Sequence, residues 1–334
     1  MSRFILHSSS TFEPWDWTAT EKGIGGSETC HIEWAQRLAR RGHEVISYAP
    51  VPFDGSRFHE GVEWKHFKSA DFSQPGTWLV FRAPEVVEKF DLARTDQRRF
   101  LICQDVWYPS LTKARADKFE AVIALCIEHG RYLIEQYSLE NIGISSNGIA
   151  SDRMWHVQTV GMGPTPYGGR NSHRIIYASS PDRGLLTLLR IFRRVREQVP
   201  DAELHIYYGW NNIDKAIADW QKAHPGATGS HPWKEAKADI ERESAQPGVV
   251  WHGRIGQSDL WREYLRSGLW VYPTDFSETS CITCMEAQAL GAIPVTRPYW
   301  PLAEHIQHGV DRGKSRRGQA RTRSVRTRDC HVDE

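Results

Sequence analysis

Several features that would assign a protein to a class are absent from this sequence. Its 334 residues contain no run of about 18 apolar residues, the length that spans a membrane, and the apolar part of MSRFILHSSS is too short for a secretory signal. We therefore expect a cytoplasmic protein, with peripheral contact at the inner face of a membrane as the alternative. The length favours two domains.

Cysteine is scarce and lacks the spacing of a disulfide framework. The 6 cysteines lie at positions 30, 103, 126, 281, 284 and 330, which suits free thiols in a reducing compartment. Cys281 and Cys284 have the C-x-x-C spacing of many zinc sites, but no second pair of cysteines or histidines stands nearby. We therefore predict no metal and no cofactor, and we expect both residues to pack inside a helix.

Charge is distributed unevenly along the chain. Residues 312–328 hold 8 of the 42 lysines and arginines and no acid, which leaves 34 basic against 41 acidic residues elsewhere. This acidic body has no sign of a nucleic-acid surface. Residues 311–334 have two interpretations: a disordered basic tail used on acidic membrane, or a reading-frame error that replaces the true C-terminus. The second is favoured because apolar periodicity stops after PLAEHIQHGV.

Short apolar runs alternate with helical patterns, which is typical of parallel sheets covered by helices. One series begins at RFILHS and a second at HRIIYASS, and the Gly- and Pro-rich stretch GMGPTPYGGRNS lies between them. The predicted boundaries are a first domain at residues 1–148, a linker at 149–172, a second domain at 173–310 and the basic tail at 311–334.

Three segments share a pattern in which a strand runs into a small or polar turn that opens a helix. They are KGIGGSET (22–29), SSPDRG (179–184) and FSETSCIT (276–283). Helix starts leave backbone N–H groups unpaired and attract phosphate. KGIGGSET matches neither the G-x-G-x-x-G of dinucleotide-binding domains nor the P-loop, so a nicotinamide oxidoreductase and an ATP hydrolase are both disfavoured.

Two glutamates, Glu278 and Glu286, flank the start of the helix predicted in FSETSCITCMEAQALGAIPVT. If this helix begins near Thr279, Glu286 lies about two turns deeper, roughly 10 to 12 Å along the axis. That spacing suits an extended ligand: Glu278 can accept hydrogen bonds from a sugar hydroxyl, Glu286 from a diol such as ribose, and the helix start can face a diphosphate. Alternatively, Glu278 is an acid favoured by the helix dipole and Glu286 is solvated, although its apolar neighbours argue against this. The apolar run that ends the stretch is expected to be buried.

The same stretch resembles the E-x7-E segment of retaining glycosyltransferases of the GT-B fold, in the large family 4 group. Other segments agree in the same order. GIGGSETCHIEWAQRLARRGHEVISYAP is similar to the family's Gly-Gly loop, helix and GHEV strand, SSNGI to the Asn-Gly before the linker, and SSPDRGLLTLL to the phosphate-side turn. VVWHGRI and DLWREYLRSGLWVYPTDFSE are similar to the elements that deliver the motif. The likeness covers roughly residues 3–310.

The resemblance implies an α/β protein with two Rossmann-like, doubly wound domains facing a cleft. The second domain would be incomplete, because the family's last strand and helices are not recognisable. It implies transfer of a sugar, with retention, from a nucleotide-sugar donor on the second domain to a saccharide or lipid-linked acceptor on the first, as in cell-envelope polysaccharide synthesis. The alternatives are a nucleotide-sugar epimerase of the same fold and an inactive sugar-nucleotide-binding module.

The resemblance also implies roles for single residues. Glu286 would bind the ribose hydroxyls and Glu278 the donor sugar, while Arg183, at the family's lysine position, would neutralise the diphosphate. The complete set of donor-binding candidates is Gly25, Gly26, Arg183, Arg254, Ser280 and Glu286, and the catalytic candidates are Glu278 and Asp105.

Two departures from the family pattern bear on this assignment. The family's phosphate arginine falls at Ala178 or Ser179, so one cationic contact is missing unless Arg254 supplies it. Where many members have a histidine after a strand of the first half, LICQDVWYP has Gln104 and Asp105. Asp105 would contact the acceptor or the donor sugar, or would be a turn residue at a strand end.

Three further residues near these positions each have two possible interpretations. His129 could reach the cleft, although a plain position on a helix surface is the favoured interpretation. Trp107 and Tyr108 could stack on a sugar ring or simply pack.

Overall fold

The computed structural model describes residues 1–9, 13–160, 169–225 and 231–306. Within these ranges the chain forms two α/β units, each built on a mainly parallel sheet covered by helices. The predicted fold class is therefore observed. The predicted basic tail at 311–334 lies outside the described residues, as does Cys330.

The described residues of the first unit form eight strands and four α-helices. These are β1 (Arg3–Ser8), α1 (Ala19–Lys22), α2 (Gly26–Arg40), β2 (Glu44–Ala49), β3 (Ser56–His59), β4 (Val62–His66), β5 (Gly76–Phe81), β6 (Gln97–Ile102), α3 (Lys113–Ala116), β7 (Ala121–Ala124), α4 (Ile127–Tyr137) and β8 (Ile142–Ile144). Two 3-10 helices, Phe67–Ser69 and Pro84–Lys89, follow β4 and β5.

The strand order of this sheet is β3-β4-β2-β1-β5-β6-β7-β8, and among the strands that the structure describes here only the β3–β4 pair is antiparallel. The central strand β1 pairs with β2 and β5, with Ile5 opposite Ile46 and Trp78. A parallel strand covered on both faces by helices must be apolar on both faces, which explains the run RFILHS. Separate apolar clusters form around Ile5 and Trp78 and around Leu6 and Trp64.

In the second unit, the described residues form five strands and the remaining helices. These are α5 (Ser151–Val160), β9 (Asn171–Tyr177), α6 (Leu185–Gln198), β10 (Glu203–Ile206), α7 (Asn211–Ala223), α8 (Pro232–Ser244), β11 (Val249–Trp251), α9 (Gln257–Arg266), β12 (Ser267–Tyr272), α10 (Ile282–Ala289), β13 (Ile293–Thr296) and α11 (Pro301–His305).

All pairs in the second sheet are parallel, in the order β11-β10-β9-β12-β13. Its core includes Met154 and Val157 from α5. Part of the segment predicted as a linker is therefore a helix that packs with the second unit. Residues 161–168 of that segment lie outside the described residues.

One expectation about burial is wrong. The apolar run that ends the E-x7-E stretch forms β13, the edge strand of the second sheet, and Ile293 and Val295 are 62% and 48% exposed. An edge strand is paired on one side only, so its side chains are buried only if another element covers them. No described residue does so for Ile293.

The two units meet through direct hydrogen bonds. The backbone N–H of Asn147 donates to Ser280 Oγ at 3.0 Å, and Thr279 Oγ1 donates to the carbonyl of Gln104 at 2.9 Å. At the far side, the Ile127 N–H at the start of α4 donates to the carboxylate of Glu304. These bonds position the first residues after β12 against the first unit.

The described residues contain no helix that is both long and apolar enough to cross a bilayer. The five cysteines within them are buried and free, which agrees with the predicted thiols. Cys284 lies inside α10, as expected, and Cys281 is the N-cap residue of this helix; both are buried. No metal-binding cluster of His, Cys, Asp or Glu occurs in the part of the chain that the structure describes.

Candidate active site

A cleft of about 620 Å³ lies between the two units. Its walls come from the segments that follow the carboxyl ends of β1, β5 and β6 in the first sheet and of β9 and β12 in the second. In doubly wound sheets the strand order reverses beside β1 and β9, and ligands bind in the crevice at that point. The volume falls within the range of small-molecule sites.

The three predicted helix starts converge on this cleft. Gly25 precedes α2, Arg183 and Gly184 precede α6, and Ser280 precedes α10. Gly25 is the N-cap of α2, and a Cβ there would lie 2.3 Å from Glu28 Oε2. A Cβ on Gly26 would lie 3.5 Å from Ile282 Cδ1, in the second unit. The start of α2 thus lies close to the start of α10 at Gly26.

Glu278 lies in the loop after β12, with its side chain largely buried. Its Oε1 accepts hydrogen bonds from Arg183 Nη1 at 2.9 Å and from the hydroxyl of Tyr272. The Arg183 guanidinium also lies 3.8 Å above the ring of Phe276. Burial disfavours the charge on Arg183, but Glu278, Tyr272 and Asp182 together outweigh burial, so the pKa of Arg183 is raised. The loop therefore holds a fixed cation in the cleft wall.

Glu286 lies deeper and is only 2% exposed. Helix α10 begins at Ile282 rather than near Thr279, so the expected depth of two turns is wrong. Glu286 is four residues into the helix, about 6 Å along the axis. Thr279 and Ser280, in the segment before the helix, bond to the first unit through their side chains. Gln257 Nε2 donates to Glu286 Oε1 at 2.8 Å, and burial raises the pKa of Glu286 to about 7.

Ser280 and Arg254 also line the cleft, each with a protein partner. The Ser280 hydroxyl accepts the Asn147 N–H, and its carbonyl accepts from the Asn147 side chain at 3.1 Å. Ser280 therefore joins the two units. Arg254 forms an ion pair with Glu13 of the first unit, across the cleft. Arg254 thus places a second cation at the cleft.

Asp105 lies just after β6 and faces the cleft from the first unit. Arg82, directly after β5, binds it with two hydrogen bonds, from Nε to Oδ2 at 2.6 Å and from Nη2 to Oδ1 at 3.1 Å. Arg82 also donates to Glu28 at 3.4 Å, and it adopts a left-handed backbone with φ of 62°. Burial raises the pKa of Glu28, and the Arg82 charge opposes this. Asp105 is therefore a rigidly held carboxylate.

His129 is not on a helix surface, contrary to the favoured interpretation. It is 0% exposed, and its Nδ1 accepts the Leu125 N–H at 3.2 Å, because α4 packs this face onto the sheet. Burial lowers the pKa of His129 to about 4. Of the two aromatic residues after Asp105, Trp107 is exposed at the cleft and Tyr108 is buried, with its hydroxyl accepting the Asp105 N–H at 2.8 Å.

Sequence reasoning missed several polar residues of the cleft. Arg82 could have been found, because a charged residue directly after a buried parallel strand falls at the ligand-binding edge of a sheet. No local sequence pattern distinguishes Glu13 or Gln257 as a cleft residue. Their positions depend on the approach of the two units.

Comparison with known proteins agrees with this arrangement. Residues 175–314 match the family described as "Glycosyl transferases group 1". No curated protein sequence matches the chain significantly. The match covers the strands and loops that carry Arg183, Glu278 and Glu286. The chain has the GT-B fold, and its second unit is a group 1 glycosyltransferase domain.

Solved structures resemble this chain along most of its length. A trehalose-phosphate synthase from Burkholderia xenovorans, in complex with glucose-6-phosphate, gives a TM-score of 0.62 at 9% identity, over 91% of this chain and 87% of that one. Sucrose-phosphate synthase from Thermosynechococcus elongatus gives 0.61 at 12% identity, over 90% and 82%. The catalytic domain of starch synthase IV from Arabidopsis thaliana, bound to ADP and acarbose, gives 0.55 at 12% identity, over 94% and 86%. At such identities the likeness concerns the fold.

Proposed function

We propose that the glycosyltransferase moves a sugar from a nucleotide-sugar donor to a saccharide acceptor, with retention of anomeric configuration. The observation that carries this proposal is the placement of Glu278, Arg183 and Glu286 along one wall of the cleft, opposite the Gly25–Gly26 helix start. Two carboxylates separated by a cation and a helix start match the hydroxyls and the diphosphate of a sugar nucleotide. The ADP in the starch synthase IV structure supports a nucleoside diphosphate as the leaving group.

The second unit would bind the donor. Glu286 would accept hydrogen bonds from the ribose hydroxyls in the buried end of the cleft. Arg183 and Arg254 would neutralise the diphosphate, and the N–H groups at the start of α10 would add partial positive charge. Glu278 would accept hydrogen bonds from the donor sugar, with its orientation fixed by Arg183 and Tyr272.

Arg183 and Arg254 would also supply the positive charge that stabilises the leaving diphosphate. Cleavage of the sugar–phosphate bond leaves negative charge on the diphosphate and develops positive character on the sugar. Preorganised cations stabilise the leaving group without reorganisation, and the neighbouring carboxylates favour the oxocarbenium-like sugar. We therefore propose a reaction without a metal cofactor. Activity that persists unchanged in excess EDTA is the expected result, and a loss restored by Mg²⁺ would contradict it.

The first unit would hold the acceptor. Asp105 and the exposed ring of Trp107 lie side by side at the cleft, and a carboxylate beside an exposed aromatic ring suits a sugar that stacks and donates hydrogen bonds. A lipid-linked saccharide would present the same sugar to this surface. It would also bring the protein into peripheral contact with a membrane.

Incubation with a panel of nucleotide sugars tests the proposed reaction. Nucleotide release that depends on an added saccharide acceptor, with the product's anomeric configuration matching the donor by NMR, is the expected outcome. Sugar interconversion without an acceptor would instead indicate an epimerase. Binding without either reaction would indicate a sugar-nucleotide-binding module. Glu286→Ala should weaken donor binding, and an unchanged affinity would count against the site.

A further inference from the structure

A chain of four polar side chains runs from the first unit to Glu286. It begins at Glu33 on α2, passes through Arg153 on α5 and Gln257 at the start of α9, and ends at Glu286 on α10. Arg153 Nη2 donates to both Glu33 Oε1 and Gln257 Oε1, the latter at 3.0 Å. Gln257 Nε2 then donates to Glu286 Oε1 at 2.8 Å.

The hydrogen bonds that Gln257 forms, in the middle of this series of side chains, can have only one direction. A glutamine amide has a donor end and an acceptor end, whereas a guanidinium can only donate. Because Arg153 occupies the oxygen of Gln257, the NH₂ group must face Glu286. One oxygen of Glu286 therefore accepts a hydrogen bond from a fixed donor, which restricts rotation of a carboxylate that otherwise lies on a buried helix face.

Arg153 is itself held from two sides. Glu33 binds it from the first unit, with the Glu33 side chain only 14% exposed. On the other side, the Arg153 guanidinium lies 5.3 Å from the ring centre of Trp261, a buried residue of α9. Glu33 also accepts from Arg37 at 3.2 Å, within α2. The guanidinium that orients Gln257 is thus anchored to both units.

We propose that Gln257 is a positioning residue for Glu286, and that Arg153, anchored by Glu33, sets the direction of its amide. Gln257 would affect ligand binding by orienting the Glu286 carboxylate toward the two ribose hydroxyls. This inference rests on the proposed function, because it takes Glu286 as the ribose-binding group. It makes the first unit a contributor to donor binding through side chains that do not touch the donor.

Calorimetric titration with UDP, ADP and GDP and with their 2′,3′-dideoxy counterparts tests this role. Gln257→Leu should weaken binding of the preferred nucleoside diphosphate about tenfold, since a hydrogen bond to a charged group is lost. Its affinity for the dideoxy ligand, which has no ribose hydroxyls, should change less than about twofold. Arg153→Leu should show the same pattern with a smaller loss.

Gln288→Leu is the matched control. Gln288 lies on the same helix α10, but its amide donates to the backbone carbonyls of Cys284 and His305. Both ligands should bind this variant as they bind the unchanged protein. Gln257→Glu provides a second variant of nearly native size, which keeps the contact to Arg153 but cannot donate to Glu286. Its loss of affinity for the nucleoside diphosphate that carries the ribose hydroxyls should be at least as large as that of Gln257→Leu.

The outcomes separate the inference from the proposed function. Equal losses for the ribose and dideoxy ligands in Gln257→Leu, or no loss in both Gln257 variants, would overturn the positioning role while nucleotide binding stands. Failure of the unchanged protein to bind any of the nucleoside diphosphates would overturn the proposed function and the inference together.

Discussion

The carboxylates of the cleft are held in different ways, and this difference governs how each should respond to mutation. Glu278 is paired with a cation, Arg183, whereas Glu286 is buried and receives a neutral amide from Gln257. Asp105 is bound at both oxygens by Arg82. Burial without a directly bonded cation leaves Glu286 costly to ionise, so its effect on stability should depend on pH.

Glu286→Gln tests this dependence. The pKa of Glu286 is raised from 4.5 to about 7 by folding. Between these values the folded chain binds more protons than the unfolded chain, so the stability contributed by this group falls as pH rises from 4.5 through 7. Because glutamine does not ionise, the variant should be more stable than the unchanged protein at pH 8, by up to about 3 kcal/mol, with little difference at pH 4.5. Urea unfolding at both pH values measures this.

Glu197→Gln, at an exposed position on α6, is the control for this experiment. It should shift stability equally at both pH values. A Glu286→Gln effect with the same size at pH 4.5 and pH 8 would contradict the buried-carboxylate interpretation.

Substitution of Arg183 tests the cation of the cleft. Arg183→Ala removes the charge that faces the proposed diphosphate and leaves Glu278 without its ion pair, so kcat/KM for nucleotide release should fall about 100-fold or more. Arg183→Lys keeps the charge but loses the planar contact with Phe276, so the loss should be nearer tenfold. Equal losses in the two variants would show that geometry, not charge, is the main contribution.

At the level of elements, short apolar runs in the sequence predict the strands. Apolar periodicity predicts those helices that bury a continuous face. The runs RFILHS and HRIIYASS predict β1 and β9, because strands of a parallel sheet are apolar on both sides. α7 and α8 were not assigned, since each has one buried residue, Ile213 and Ile240 respectively. The β3–β4 hairpin was missed because β3 is short and exposed.

The start of α6 depends on one backbone conformation. Gly184 has φ of 92°, and a Cβ there would lie 2.4 Å from the carbonyl oxygen of Pro273, at the end of β12. Gly184→Ala should therefore destabilise the second unit by about 3 kcal/mol and displace the turn that carries Arg183. Thermal unfolding measures the stability, with Gly169→Ala, where a Cβ meets no atom within 4 Å, as the control. Similar melting temperatures for the two variants would refute the argument.

At the level of the whole molecule, the site exists only while the two units are in contact. The Arg254–Glu13 pair, the Asn147–Ser280 hydrogen bonds and the chain from Glu33 to Glu286 all cross between them. Separation of the units would leave each sheet intact but would dismantle these contacts. Catalytic turnover should therefore be more sensitive to the domain contact than folding is.

Gly256→Ala tests this contact. Gly256 precedes α9 in the second unit, and a Cβ there would lie 2.1 Å from the backbone oxygen of Glu21 in the first. Backbone cannot move aside as a flexible side chain can, so the units should be pushed apart. Small-angle X-ray scattering should show a larger radius of gyration, and nucleotide release should slow at least tenfold. Gly148→Ala, where a Cβ would meet no atom within 4 Å, should change neither quantity.

The sequence by itself determined the two mainly parallel sheets, the three helix starts, and the pair of glutamates at α10. All of these depend on local periodicity and on residues close together in the chain. Tertiary structure alone decided the partners of the polar side chains. Arg153 lies 120 positions from Glu33, and Arg254 lies 241 positions from Glu13. Hydrophobic patterns specify which face of an element is buried, but which two charges meet depends on how separately folded units pack together.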